Sequence, residues 1–123
     1  MKKKILLADD DKNVSEIYEK ILTEAGLEVT VAYDGEEAMK RMKSESPDMI
    51  LLDLLMPEKN GFQVLEEKAN DDDLKQIPVI ILTNLVQEQD VERLKKLGVV
   101  DYLTKLDFST QEVVGRIKRH LQI

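Results

Sequence analysis

Apolar runs alternate with helix-periodic segments along the whole of this chain. Four of the runs end abruptly at a reactive polar residue. Ile5-Leu6-Leu7-Ala8 stops at Asp9-Asp10-Asp11, and Met49-Ile50-Leu51-Leu52 stops at Asp53. Val79-Ile80-Ile81-Leu82 stops at Thr83, and Tyr102-Leu103 leads into Thr104-Lys105. Between the runs, Val14, Ile17, Tyr18, Ile21, Leu22 and Ala25 recur at helical spacing, with Gly26 as a stop. Leu27 to Ala32 reads as a strand with polar Glu28 and Thr30 interleaved, the pattern of a sheet edge. Asp34 with Glu37 predicts a capping box for a second helix, which Pro47 ends.

The second half repeats the scheme. Pro57 and Asn60-Gly61 mark a loop, and Phe62, Val64, Leu65 and Ala69 suggest a third helix. Asp71-Asp72-Asp73 reads as a solvated turn before Pro78. A fourth helix carries Val91, Leu94 and Leu97, a last strand spans Val99 to Leu103, and Ser109 with Glu112 caps a fifth helix carrying Val113, Val114, Ile117 and Leu121. Strand–helix alternation implies right-handed crossovers and a parallel sheet. The first, third and fourth runs are the most apolar and belong at the centre. The expected fold class is therefore α/β: a flavodoxin-like, doubly wound three-layer sandwich whose five-stranded parallel sheet has order 2-1-3-4-5, with five helices. Residues 1–123 read as one domain with no output domain.

Composition narrows the function. A net charge of −7 lacks the basic footprint that a general nucleic-acid or membrane-surface binder needs. Cysteine is absent, which excludes disulfides, thiolate metal sites and cysteine nucleophiles. Met1-Lys2-Lys3-Lys4 and the apolar run after it are too short for a signal peptide, and no run is long enough to span a bilayer. The chain reads as soluble and cytoplasmic.

In an open parallel sheet, the carboxyl ends of the strands share the ligand-binding edge. That edge would gather Asp9, Asp10, Asp53, Thr83 and Lys105. Two carboxylates roughly 6 Å apart at an effective dielectric near 20 cost about 3 kcal/mol if both stay ionised. A proton or a cation must relieve them, and an oxygen-only donor set favours a hard cation such as Mg²⁺. Asp53 stands alone at the end of a central strand and is the best nucleophile candidate for forming an aspartyl phosphate. Asp9 and Asp10 would hold the metal, Thr83 would bond a phosphoryl oxygen, and Lys105 would balance charge.

The motifs Ile-Leu-Leu-Ala-Asp-Asp-Asp, Leu-Asp-Leu-Leu-Met-Pro…Asn-Gly, Ile-Leu-Thr and Tyr-Leu-Thr-Lys, in that order, strongly resemble the receiver domain of bacterial response regulators. The resemblance covers essentially the whole chain. It implies phosphoryl transfer from the phosphohistidine of a sensor histidine kinase, or of a phosphotransfer protein, to Asp53. It also implies Asp10 as a direct Mg²⁺ ligand beside Asp53, Asp9 acting through water, and the Leu55 backbone carbonyl as a third protein ligand, with Mn²⁺ able to substitute. Thr83 and Tyr102 match the switch residues, whose movement would reshape the face made by the fourth helix, fifth strand and fifth helix. A phosphorylation-dependent homodimer is one form that output could take; the output partner is unknown. On this reading the chain is not an enzyme on exogenous substrates.

Three positions depart from the family pattern. Leu106 follows Lys105 where proline is usual; without proline a cis bond would cost roughly 3 kcal/mol, so a trans and looser loop is expected. Asn84 follows Thr83 where a small residue is common, and Asn60 replaces a frequent aspartate. Other functions make different demands. A phosphatase with an aspartate nucleophile commonly has a second acid two residues on, where this chain has Leu55. An FMN site would need a hydroxyl- and glycine-rich loop after the first strand, the electrostatic opposite of Asp9-Asp10-Asp11. A phosphorylation-independent adaptor would keep its partner when Asp53 is replaced. His120 suits the negative end of the last helix, and Arg116, Lys118 and Arg119 read as a solvated face or a docking surface.

Overall fold

The computed structural model describes residues 2–84 and 86–123. Five strands, β1 (Lys4–Ala8), β2 (Glu28–Ala32), β3 (Met49–Leu52), β4 (Val79–Thr83) and β5 (Val99–Thr104), form one parallel sheet in the order β2-β1-β3-β4-β5. The helices are α1 (Lys12–Glu24), α2 (Gly35–Glu45), α3 (Gly61–Ala69), α4 (Val91–Lys96) and α5 (Thr110–Leu121), with a 3-10 turn at Glu88–Asp90 before α4. Fold class, strand order and the two edge strands agree with the sequence pattern. β1 from Ile5 to Ala8, β3 from Met49 to Leu52 and β4 from Val79 to Leu82 are apolar without interruption because helices cover both their faces.

Successive strand residues point to opposite faces and so feed two cores. Ile5, Leu7, Leu51 and Leu82 pack with Tyr18 and Leu22 of α1 and with Val113 and Ile117 of α5. Leu6, Ala8, Ile50 and Ile81 pack on the other face against α2, α3 and α4. Among the described residues no helix is long and apolar enough to cross a membrane.

The helix faces differ in detail from the periodicity. On α1, Ile17 is 52% exposed and Ser15 is buried, so the inward stripe runs Ser15, Tyr18, Leu22. On α3, Lys68 is buried rather than Ala69, because it follows Val64 by four positions and Leu65 by three. Asp34 caps α2 by accepting from the Glu37 N–H; only this half of the expected box is formed. Asn60 and Ser109 make complete reciprocal boxes, with Gln63 and Glu112 respectively. Asn60 thus does more than stand in for an aspartate. In the expected solvated turn, Asp71 accepts from the Asp73 N–H and Asp72 pairs with Lys75.

Candidate functional site at the carboxyl edge of the sheet

Because β1, β3, β4 and β5 run parallel, with one register shift between β4 and β5 at Val79/Ile80, their ends bring Asp9, Asp53, Thr83 and Lys105 together from positions up to 96 residues apart. Asp9 and Asp53 stay buried because each begins its loop while still paired to the sheet. The Asp9 N–H donates to the Ala32 carbonyl, and the Asp53 N–H donates to that of Ala8. Asp10, one residue further along, is exposed. Carboxylate oxygens of Asp9, Asp10 and Asp53 all lie within 4.8 Å of one another.

Hydrogen bonds hold these carboxylates in place. Thr83 Oγ1 donates to Asp53 Oδ1 at 2.8 Å, and the Leu55 N–H donates to the same oxygen at 3.2 Å. Lys105 Nζ lies 2.7 Å from Asp9 Oδ2 and 3.3 Å from Asp53 Oδ2. Asp9 Oδ1 accepts the Asp11 N–H, and Asp11 caps α1 through the N–H groups of Asn13 and Val14. Burial pushes the Asp9 carboxyl up, and its bonds to Lys105 and to the Asp11 N–H only partly reverse this. For Lys105, burial works against the charge, but the bond to Asp9 and the field of Asp53 outweigh it, so the ammonium stays protonated above its usual range.

A cavity of about 380 Å³ opens above the cluster, lined by Asp10, Asp11, Val14, Asp53, Leu55, Asn84 and Lys105. Its donors are all oxygen, from three carboxylates on adjacent strand ends. That set fits a hard divalent cation with room for water and an anion, and it offers nothing to a soft metal. Asn84 stands at the mouth of the cavity and is exposed. Tyr102 is set apart from the cluster, partly exposed on the outer strand β5.

The expectation of a looser lysine loop meets a different arrangement. No cis peptide occurs among the described residues, so the bond before Leu106 is trans. The loop is nonetheless held, because the Lys105 N–H donates to the Thr83 carbonyl at 2.7 Å. Leu106 itself is 86% exposed.

Several supporting residues were not legible as such. Ser15 donates from Oγ to the Asp9 carbonyl, and its sequence signal was a small hydroxyl residue on the apolar stripe of α1. Gly61 lets α3 pass under the site, since a Cβ there would lie 2.7 Å from both the Asp53 carbonyl oxygen and Leu54 Cα. Asp101 bonds Arg116 at 2.7 Å and His120 at 3.0 Å, tying β5 to α5. Burial opposes the Asp101 charge, but these two partners win and hold its carboxyl below the usual range. Arg116 is therefore paired within the fold rather than part of a freely solvated face, while Arg119 remains exposed.

Known proteins share both sequence and architecture with this chain. The sequence model of the response regulator receiver domain matches residues 5–118. A putative response regulator from Chloroflexus aurantiacus is 32% identical over 100% of both chains, with a TM-score of 0.90. The receiver domain of the Francisella response regulator 1452 is 33% identical over 98% of this chain and 97% of that one, with a TM-score of 0.87. The phosphorylated cyanobacterial phytochrome response regulator RcpA is 34% identical over 97% and 93%, with a TM-score of 0.85.

Proposed function

The chain belongs to the response regulator receiver family, and from that premise we propose that it accepts a phosphoryl group on Asp53 from the phosphohistidine of a sensor histidine kinase or phosphotransfer protein. The observation that carries this reading is the state of Asp53. It is a buried carboxylate that faces a cavity, has its oxygens bonded by Thr83, Leu55 and Lys105, and stands beside two further carboxylates. A carboxylate so oriented can attack phosphorus in line. The P–N bond breaks as the P–O bond to Asp53 forms, and the donor imidazole keeps the electron pair.

Asp10, Asp53 and the Leu55 carbonyl, with Asp9 through water, would hold Mg²⁺ or Mn²⁺. The cation would offset the carboxylate charge so that an anionic phosphoryl group can approach. Lys105 supplies fixed positive charge on the opposite side, and the Thr83 hydroxyl is free to turn from Asp53 to a phosphoryl oxygen. Once it turns, space beside β4 opens for Tyr102 to swing inward, which alters the α4–β5–α5 face. Output then passes to a partner that reads this face. With Leu55 two positions after Asp53, the chain lacks an acid for turnover of exogenous phosphoesters. It therefore catalyses only its own phosphorylation and dephosphorylation.

The test is intact-mass measurement after incubation with Mg²⁺ and a small phosphodonor. Wild type should gain one phosphate, lose that gain in EDTA, and show none when Asp53→Asn is introduced. A wild-type mass that never changes would sink the proposal.

A further inference from the structure

Lys105 sits in a turn that packing hardly holds, since Leu106 is 86% exposed and Asp107 is exposed as well. Its ammonium nonetheless reaches two buried carboxylates, and a lysine held this way surrenders much rotamer freedom. Something must keep the turn from wandering. The hydrogen bonds show what does. Thr104 Oγ1 donates to Asp107 Oδ2 at 2.5 Å, and the Asp107 N–H returns a bond to the Thr104 carbonyl at 3.1 Å. The Phe108 N–H shares that carbonyl at 3.2 Å. Thr104 and Asp107 thus close a ring around Lys105 and Leu106.

Both ends of the ring are anchored. Thr104 pairs with Thr83 at the end of β4, and the Lys105 N–H donates to the Thr83 carbonyl. Beyond the turn, Phe108 packs on the α1/α5 core with the Arg116 guanidinium over its ring, and Ser109 then caps α5. We propose that Asp107 is a positioning residue that, by closing the turn after β5, holds Lys105 over Asp9 and Asp53. It takes the part that a rigid residue at position 106 would otherwise play. Asp107 acts through Thr104 and touches no reacting atom.

The proposal rests on the phosphoacceptor reading for its consequence but not for its geometry, so two readouts separate them. The first is acetylation of Lys105 by an N-hydroxysuccinimide ester, followed by peptide mass spectrometry with the protein's other lysines as internal references. The second is the rate of phosphorylation by phosphoramidate across a Mg²⁺ titration. Asp107→Ala should raise Lys105 labelling about fivefold and slow phosphorylation by a similar factor, the scale of one ordinary hydrogen bond at an exposed site. The Mg²⁺ half-saturation should not move. Asp107→Asn keeps an accepting oxygen and should restore most of both. Thr104→Val should reproduce Asp107→Ala, and the double variant should add nothing further, as for two halves of one contact.

Wild-type labelling in Asp107→Ala overturns the proposal, and so does raised labelling with an unchanged phosphorylation rate. Additive effects of Asp107→Ala and Thr104→Val also overturn it. If wild type never takes up phosphate, the phosphoacceptor reading fails, and the labelling arm still decides whether Asp107 positions Lys105.

Discussion

Replacing Lys105 by Met isolates the electrostatics of the site, because the side chain keeps nearly the same length and loses only its charge and donors. Lys105, Asp9 and Asp53 have side-chain exposures of 12%, 2% and 7%, so water screens them poorly. At an effective dielectric near 20, the separations of 2.7 and 3.3 Å correspond to gross attractions of about 6 and 5 kcal/mol. Burying three ions takes most of that back. What matters is the residue left unpaired: breaking a buried pair by removing one member costs about 3–5 kcal/mol. Carboxylate oxygens of Asp9 and Asp53 lie within 4.8 Å of each other, so their mutual repulsion adds about 3 kcal/mol at the same dielectric. It is reduced when one carboxyl takes a proton.

Urea unfolding of wild type and Lys105→Met in EDTA should therefore differ by about 3 kcal/mol near neutral pH. Saturating Mg²⁺ should stabilise the variant more than wild type, by about 1 kcal/mol, since the cation then relieves a repulsion that Lys105 relieves in wild type. The pH dependence has a definite sign. The folded pKa of Asp9 is raised, so the folded state takes up a proton more readily than the unfolded chain as pH falls. The defect of the variant should shrink on acidification through that range. The stability that Lys105 contributes in wild type, with its raised folded pKa, is present below the usual lysine value and fades only as pH rises through the higher folded one. A loss under about 1 kcal/mol, the size of an exposed pair, would refute the buried-pair reasoning. So would equal stabilisation of both proteins by Mg²⁺.

Two further substitutions test the scaffold around the site. Gly35→Ala would put a Cβ 1.9 Å from the Lys59 carbonyl oxygen, where the loop after β3 crosses the start of α2. The backbone must shift there, and a loss of about 2–4 kcal/mol in chemical denaturation is expected. Lys68 is buried with Nζ 3.2 Å from the Lys75 carbonyl, and burial pushes its pKa down. Its protonated form is thus disfavoured in the fold, so wild-type stability should rise with pH from that lowered value toward the usual lysine range. Lys68→Met should abolish this rise and stabilise the protein at neutral pH by about 1–2 kcal/mol. Unfolding curves with the same pH slope in both proteins would show that the ammonium is hydrated in the fold.

The architecture was legible because burial on two faces writes itself as an unbroken apolar run, while an edge strand betrays itself by interleaved polar residues such as Glu28 and Thr30. The candidate site was legible for a related reason. Parallel strands end on one edge, so a polar residue that stops each run is carried to the same place whatever lies between. Even so, periodicity puts Ile17 and Ala69 on the inner faces, where Ser15 and Lys68 are buried instead. Periodicity ranks positions by hydrophobicity, and a hydroxyl bonded to the Asp9 carbonyl, or an aliphatic stem ending at the Lys75 carbonyl, can occupy an inward position.

By itself, then, the sequence determined strand order, edges, the caps at Asp34 and Ser109 and the composition of the acidic edge, because these follow from local periodicity and from where each run stops. Tertiary structure decided the pairings. Lys105 bridges Asp9 and Asp53, Thr83 bonds Asp53, and Asp101 gathers Arg116 and His120. Such pairings depend on side-chain reach across space between residues whose separation in sequence carries no period. The lysine turn shows the difference most clearly. Leu106 in the sequence predicts looseness, whereas the Lys105 N–H bond to the Thr83 carbonyl, 22 residues away in sequence, and the local Thr104–Asp107 contact hold the turn.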